Sequence, residues 1–178
     1  DGSAGSGDFD AALPILAAGC RRVAEAGAAL GIRTLVENHG FFCQDSDRVE
    51  RLAHRVDHPN FGLLVDIGNF LCADESPEAA VGRVASLAAH VHAKDFHVKP
   101  AEGPDPGRGW FRSRGGQYLR GAIVGHGEVP IARCLALLRK AGYDGVLSLE
   151  FEGLETPETA IPMGKENLER YWGLAAAM

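Results

Sequence analysis

Four short apolar runs, each parted from the next by a stretch long enough for a helix, constrain this chain more than any other feature. They lie at residues 32 to 37, 61 to 66, 91 to 95 and 146 to 151. Apolar residues recur between them at helical spacing. Residues 8 to 30 predict a first helix, with Leu13, Leu16, Ala17, Cys20, Val23, Ala24 and Leu30 on its apolar side and Gly31 as its stop. Asp45 and Ser46 open a second, with Val49, Leu52, Ala53 and Val56 on one face, and His58-Pro59-Asn60 ends it. Ser76-Pro77-Glu78 opens a third, to about residue 88: an N-cap hydroxyl, a proline in the first turn, then an acid near the positive helix end. Pro130 opens a fourth with Ile131, Cys134, Leu135 and Leu138 on one side, and Thr156-Pro157-Glu158 a fifth that ends near Trp172. Such alternation implies an α/β fold with parallel strands and right-handed crossovers.

Each apolar run carries an acid or an imidazole in or at the end of its strand: Glu37, Asp66, His92 and Glu150. Strand residues two apart share a face, so Leu35 points with Glu37, Leu64 with Asp66, His90 with His92 and Ser148 with Glu150. One acid closing a strand means little; four such residues on successive strands point to one site. Two glutamates, an aspartate and a histidine form a mixed oxygen and nitrogen set that suits a divalent metal. Polar groups at the carboxyl ends of successive parallel strands are placed as in the active face of a (β/α) barrel of TIM type. Ile67-Gly68 and Asn38-His39-Gly40 put small or flexible residues just beyond the candidate ligands, which suits backbone lying close to a bound molecule.

Four strands do not close an eight-stranded barrel of about 250 residues. The 178 residues suit one domain, 1 to 178, and the expectation is a partial barrel from the C-terminal part of a longer protein. The chain begins at Asp1 in a Gly/Ser-rich stretch that reads as a loop entered from upstream. An open doubly wound sheet is the alternative, but no glycine-rich phosphate loop follows a first strand. Residues 97 to 125 hold Pro100, Gly103, Pro104, Pro106, Gly107, Gly109, Gly115 and Gly116, and they read as one long loop. Trp110, Phe111 and Tyr118 within it favour an ordered lid that closes over a substrate.

The net charge of -6 argues against a nucleic-acid partner, since phosphate neutralisation supplies most of that affinity. No apolar run approaches 18 residues and no signal peptide is visible, so a cytoplasmic protein with no membrane partner is expected. Cys20, Cys43, Cys72 and Cys134 form no C-x-x-C pair and fit reduced thiols that act as small hydrophobes.

Glu-Asn-His-Gly at 37, Asp-Ile-Gly-Asn at 66, His-Ala-Lys-Asp at 92, Gly-His-Gly-Glu-Val at 125 and Leu-Ser-Leu-Glu-Phe-Glu-Gly at 147 occur in that order. As an ordered set they resemble the sugar phosphate isomerase/epimerase superfamily, the xylose isomerase-like TIM barrels, over residues 8 to 172. The resemblance places the chain at strands five to eight of that barrel. It implies a divalent metal (Mn, Mg, Co or Zn) held by Glu37, Asp66, His92 and Glu150. Glu37 and Glu150 would also be the catalytic carboxylates that face each other across a small carbohydrate substrate. Metal binding polarises an α-hydroxy carbonyl and favours the enediolate formed on proton removal, and the two carboxylates exchange protons on opposite faces. Asn69 stands where relatives often carry a substrate-contacting histidine; it can hydrogen-bond but not carry a charge. Lys94 shares a face with His92 and is either a substrate contact or a second-layer lysine. His39 is a candidate for the pocket lining. Arg120 is either a substrate contact or a solvated side chain, and His126 either reaches the site or turns its loop. Glu152 points with Glu150, behind it. His54, His58 and His97 read as surface or supporting residues.

The expected function is a metal-dependent isomerase or epimerase of a sugar, sugar phosphate or related polyol. A lyase that dehydrates a keto-inositol or similar cyclic polyol uses the same metal and the same α-proton and is the alternative. The superfamily's trinuclear zinc endonucleases need further ligands, and Asn69 and Leu119-Arg120-Gly121 occupy those places. A non-catalytic sugar-binding or scaffold protein is the third reading. A half barrel exposes two sheet edges, so pairing with another copy is expected if the rest of the barrel is absent.

Overall fold

The computed structural model describes residues 7–40 and 42–178; the Gly/Ser-rich start before Gly7 lies outside them. Four strands form a parallel sheet in the order β1-β2-β3-β7: β1 (Thr34–Glu37), β2 (Phe61–Asp66), β3 (Ala88–Ala93) and β7 (Leu147–Leu149). Glu37 lies opposite Leu64, Asp66 opposite His92, and His92 opposite Ser148. Sequence-consecutive parallel strands that neighbour one another are the signature of one arc of a TIM-type barrel. Among the described residues β1 pairs only with β2, and β7 only with β3.

The helices α1 (Phe9–Ala29), α2 (Ser46–Val56), α3 (Pro77–Val84), α4 (Ile131–Lys140) and α5 (Pro157–Ala175) follow in chain order. The Asp45 side chain caps α2 through the Arg48 N–H, and Ser76 caps α3 through Ala79, as the sequence predicts. Leu63, Val65, Ile67, Val91 and Ala93 turn one sheet face to the helices, where Val81, Val84, Leu135 and Leu138 complete the core. The opposite face carries Leu64, Asp66, His90 and His92. On α1, Ala17 and Ala24 are buried as expected, but Val23 and Leu30 are 59% and 74% exposed.

Part of the segment read as one long loop forms a second sheet, while residues 100–110 have no strand or helix. β4 (Asp95–Lys99), β5 (Phe111–Arg112) and β6 (Tyr118–Ala122) pair antiparallel in the order β4-β6-β5. Asp95 and Phe96 of β4 and Tyr118, Leu119, Gly121 and Ala122 of β6 are buried, so no clean two-residue alternation marks these strands. The third strand also divides at Lys94: β3 stays in the barrel sheet and β4 leaves it.

Candidate active site

Backbone ladders deliver the four sequence-predicted ligands to one place. Glu37 and Asp66 close β1 and β2, His92 is the last residue but one of β3, and Glu150 follows β7 with its N–H bonded to the Ala93 carbonyl at 3.0 Å. One ligand atom from each of Glu37, Asp66, His92 and Glu150 lies within 4.8 Å of the others. His92 Nδ1 faces Glu150 Oε2 at 2.9 Å and Glu37 Oε1 at 3.5 Å, so the two glutamates flank one imidazole edge.

Asp66 is fully buried. Its Oδ1 accepts the N–H groups of Gly68 at 2.8 Å and Asn69 at 3.0 Å. Its Oδ2 has no hydrogen-bond partner. Burial pushes the Asp66 carboxyl up to about 7, against the pull of Lys94. A buried carboxylate oxygen without a donor, set among two more carboxylates and a ring nitrogen, is a donor set that fits a hard or borderline divalent cation.

Lys94 is buried in the site. Its Nζ lies 3.0 Å from Glu150 Oε1, 3.4 Å from Glu152 Oε2 and 3.6 Å from Asp66 Oδ2. Burial opposes its charge, but those carboxylates outweigh it and raise its pKa. Burial likewise opposes ionisation of Glu150, and the Lys94 hydrogen bond and charge overcome it, holding that carboxyl below its ordinary value. In the Asp66–Glu150 pair, the fully buried Asp66 is therefore the member that favours its proton.

Asn69 sits at the start of the short 3-10 helix Asn69–Ala73 and is buried, with Oδ1 3.4 Å from Lys94 Nζ. His39, Asn69 and Lys94 line one cavity, together with Glu152 and the tip of the β5–β6 hairpin. Arg120 lies on β6 with its guanidinium carbon 5.4 Å from the Trp110 ring centre, and it does not line that cavity. His126 is exposed in the turn after Ile123.

Sequence reasoning missed Asn38. Its side chain takes the Asp66 N–H at 2.7 Å and donates to the Asp66 carbonyl at 2.8 Å, extending the β1–β2 ladder past Glu37 and Asp66. Its place inside Glu-Asn-His-Gly was the available signal. Gly68 has a different reason from the one expected. A Cβ there would lie 2.6 Å from the Lys94 carbonyl oxygen, so the close approach is to the chain's own backbone.

A family model described as the xylose isomerase-like TIM barrel matches residues 1–171. The chain belongs to that family. Among curated proteins it is 31% identical over 156 residues to the rhizopine catabolism protein MocC of Rhizobium meliloti, covering 83% of this chain and 46% of that protein. It is 24% identical over 155 residues to the inosose dehydratase of Clostridium beijerinckii, covering 83% of this chain and 49% of the enzyme. A solved xylose isomerase-like TIM barrel protein from Mycobacterium smegmatis, in complex with magnesium, superposes with a TM-score of 0.69 at 18% identity. That match covers 94% of this chain and 51% of the other. This member of the family thus spans about half the length of the curated relatives it matches. Proteins similar to it include both epimerases and dehydratases. Among the described residues no helix is long and apolar enough to cross a membrane.

Proposed function

We propose that this chain carries the metal-binding and proton-transferring residues of a divalent-metal-dependent isomerase or epimerase acting on a sugar or related polyol. The observation behind this reading is the pair Glu37 and Glu150, flanking His92 Nδ1 within the four-residue group. Glu37, Asp66, His92 and Glu150 would hold the ion. When bound, it supplies Lewis-acid polarisation of a substrate carbonyl. Lys94 keeps Glu150 ionised, so Glu150 is the base that takes the proton α to the carbonyl. Glu37, on the other side of His92, exchanges a proton on the opposite substrate face, and the enediolate between them collapses to the isomer or epimer. His39, Asn69 and Lys94 contact the substrate from the adjoining cavity.

The test is solvent-deuterium exchange. The manganese-loaded protein should place deuterium at the carbon next to the carbonyl of a ketose or keto-polyol. Glu150→Gln should abolish the exchange and weaken manganese binding; a variant that retains parental exchange removes Glu150 from the mechanism.

The similarity to an inosose dehydratase favours a second reading in which the same base starts a β-elimination. Both reactions share α-proton removal, and they separate on product mass, because only the dehydratase releases water.

A further inference from the structure

The regular pairing of β1 with β2 ends where Glu37 faces Leu64. The chain then turns away, with the His39 N–H on the Glu37 carbonyl at 2.9 Å, while β2 runs two residues further to Asp66. Asp66 thus lies beyond the last backbone rung on that side. The Asn38 side chain fills the gap. Its Oδ1 accepts the Asp66 N–H at 2.7 Å, its Nδ2 donates to the Asp66 carbonyl at 2.8 Å, and both residues are buried. A side-chain amide carries a donor and an acceptor on separate atoms, as a peptide unit does, which no carboxylate or aliphatic group can copy.

These bonds leave Asp66 little freedom. Its N–H and carbonyl are held by Asn38 and its Oδ1 by the N–H groups of Gly68 and Asn69, so that Oδ2 alone has no hydrogen-bond partner. Glu37 precedes Asn38 in the chain. The same amide therefore anchors the backbone from which the Glu37 carboxylate reaches to 3.5 Å from His92 Nδ1. The other two seams between ligands are closed by backbone bonds. Asp66 faces His92 in register, with the Ile67 N–H on the His92 carbonyl at 3.0 Å, and the Glu150 N–H bonds the Ala93 carbonyl at 3.0 Å. Between Glu37 and Asp66 the closing group is a side chain, and it is Asn38.

We infer that Asn38 is a positioning residue for the metal set: its amide replaces a missing peptide rung between β1 and β2 and so fixes the spacing of Glu37 and Asp66 on which cation affinity depends. The inference rests on the metal-dependent reading above and deepens it. Asn38 touches neither the ion nor a substrate; it acts through the backbone of the two carboxylates beside it.

Titration calorimetry with manganese as the probe tests it on the whole chain. Asn60 is a matched control at the other end of the same strand pair, where its Nδ2 donates to the carbonyls of Ala24 at 3.1 Å and Ile32 at 2.8 Å. Asn38→Ala and Asn60→Ala each remove the bonds of one amide, and both should lower the melting temperature in a chelator. Asn38→Ala should also weaken manganese binding by about 10- to 100-fold, the range for groups that orient metal ligands, while Asn60→Ala keeps the parental affinity. Asn38→Ser, with a hydroxyl too short to span both Asp66 groups, should weaken manganese in the same direction, and it decides the matter if the alanine variant does not fold. Parental manganese affinity in the folded Asn38 variant, or equal losses in Asn38→Ala and Asn60→Ala, overturns the inference. A parent chain that binds no manganese overturns it together with the metal-dependent reading. A parent that binds manganese, loses affinity on Asn38 substitution and yet catalyses no deuterium exchange overturns the enzymatic reading alone.

Discussion

The ammonium of Lys94 lies 3.0 Å from Oε1 of Glu150, and the other oxygen of that carboxylate meets His92 Nδ1 at 2.9 Å. One buried cation thus fixes how Glu150 presents itself to the candidate metal position. Lys94→Met keeps much of the side chain's volume and leaves Asp66 and Glu150 without their shared counter-charge. Removing one partner of a buried pair costs about 3–5 kcal/mol, and less where a partner is partly exposed, as Glu150 is. Urea unfolding at neutral pH should show a loss of about 2–4 kcal/mol, with part regained on adding manganese. A variant as stable as the parent would mean that Lys94 is not the group balancing these carboxylates.

Asp66 makes stability depend on pH in an unusual direction. Burial raises its carboxyl from 3.8 to about 7 in the folded chain. Between those values the folded state holds a proton that the unfolded state has lost. Metal-free stability should therefore fall as pH rises from about 4 to about 7 and level off above that, by a few kcal/mol at most. Glu150 acts oppositely: its lowered pKa gives stability that is present above its unfolded value and lost as pH falls below about 4. Melting temperatures in a chelator across this range, compared between the parent and Asp66→Asn, isolate the first effect. The parent's downward slope should vanish in the variant and also on adding manganese, because a bound cation favours the ionised carboxylate. Parallel curves for parent and variant would assign the slope to another group.

The legible parts of this molecule were those written locally. Asp45 and Ser76 announce their helices because a cap needs only its next three residues. Glu37, Asp66, His92 and Glu150 were legible because each belongs to an apolar run, and parallel pairing in chain order then gathers them. The β4–β6 sheet was hidden. Its pairing joins Asp95 to Ala122 across a segment dense in glycine and proline, and no local period reports such a distant partner. Phe111 was legible as part of a lid, but its pairing through β6 and the place of Arg112 beside it on the cavity wall were hidden for the same reason. Lys94 was ambiguous on its strand, since the sequence shows a face and not the three carboxylates that wait there.

Asp74 fastens the hairpin tip over the cavity. It takes a left-handed backbone (φ 59°) after the short helix. Its carboxylate accepts the Ser113 hydroxyl at 2.5 Å, the Gln117 amide at 3.2 Å and the Gly115 N–H. The Arg114 N–H bonds the Cys72 carbonyl at 2.8 Å beside them. Asp74→Gly removes the acceptors without backbone strain and should lower the cost of opening the tip by about 1–3 kcal/mol. Cys72, whose thiol burial pushes up to about 12, lines the cavity beneath and serves as reporter. Its alkylation by iodoacetamide should speed up by about 5- to 100-fold, while buried Cys134 stays unmodified. Unchanged Cys72 labelling would show that the hairpin is held by β6 alone.

Asp95 holds the Gly-His-Gly-Glu-Val turn that leads into α4. It is 1% exposed, and its oxygens accept four backbone N–H groups: Phe96 at 2.8 Å and Val129 at 3.0 Å on Oδ1, Gly125 and Gly127 at 2.9 Å each on Oδ2. Burial pushes its carboxyl up while those donors pull against the shift. Asp95→Asn keeps size and shape, but its amide nitrogen would face two N–H donors that have no other acceptor. The expected cost is about 2–4 kcal/mol. It should appear as a lower melting temperature and as lost hydrogen-exchange protection at Gly125, Gly127 and Val129, with α2 and α3 unaffected. Retained protection at those three amides would mean that the turn is set by the glycines alone and that the carboxylate follows it.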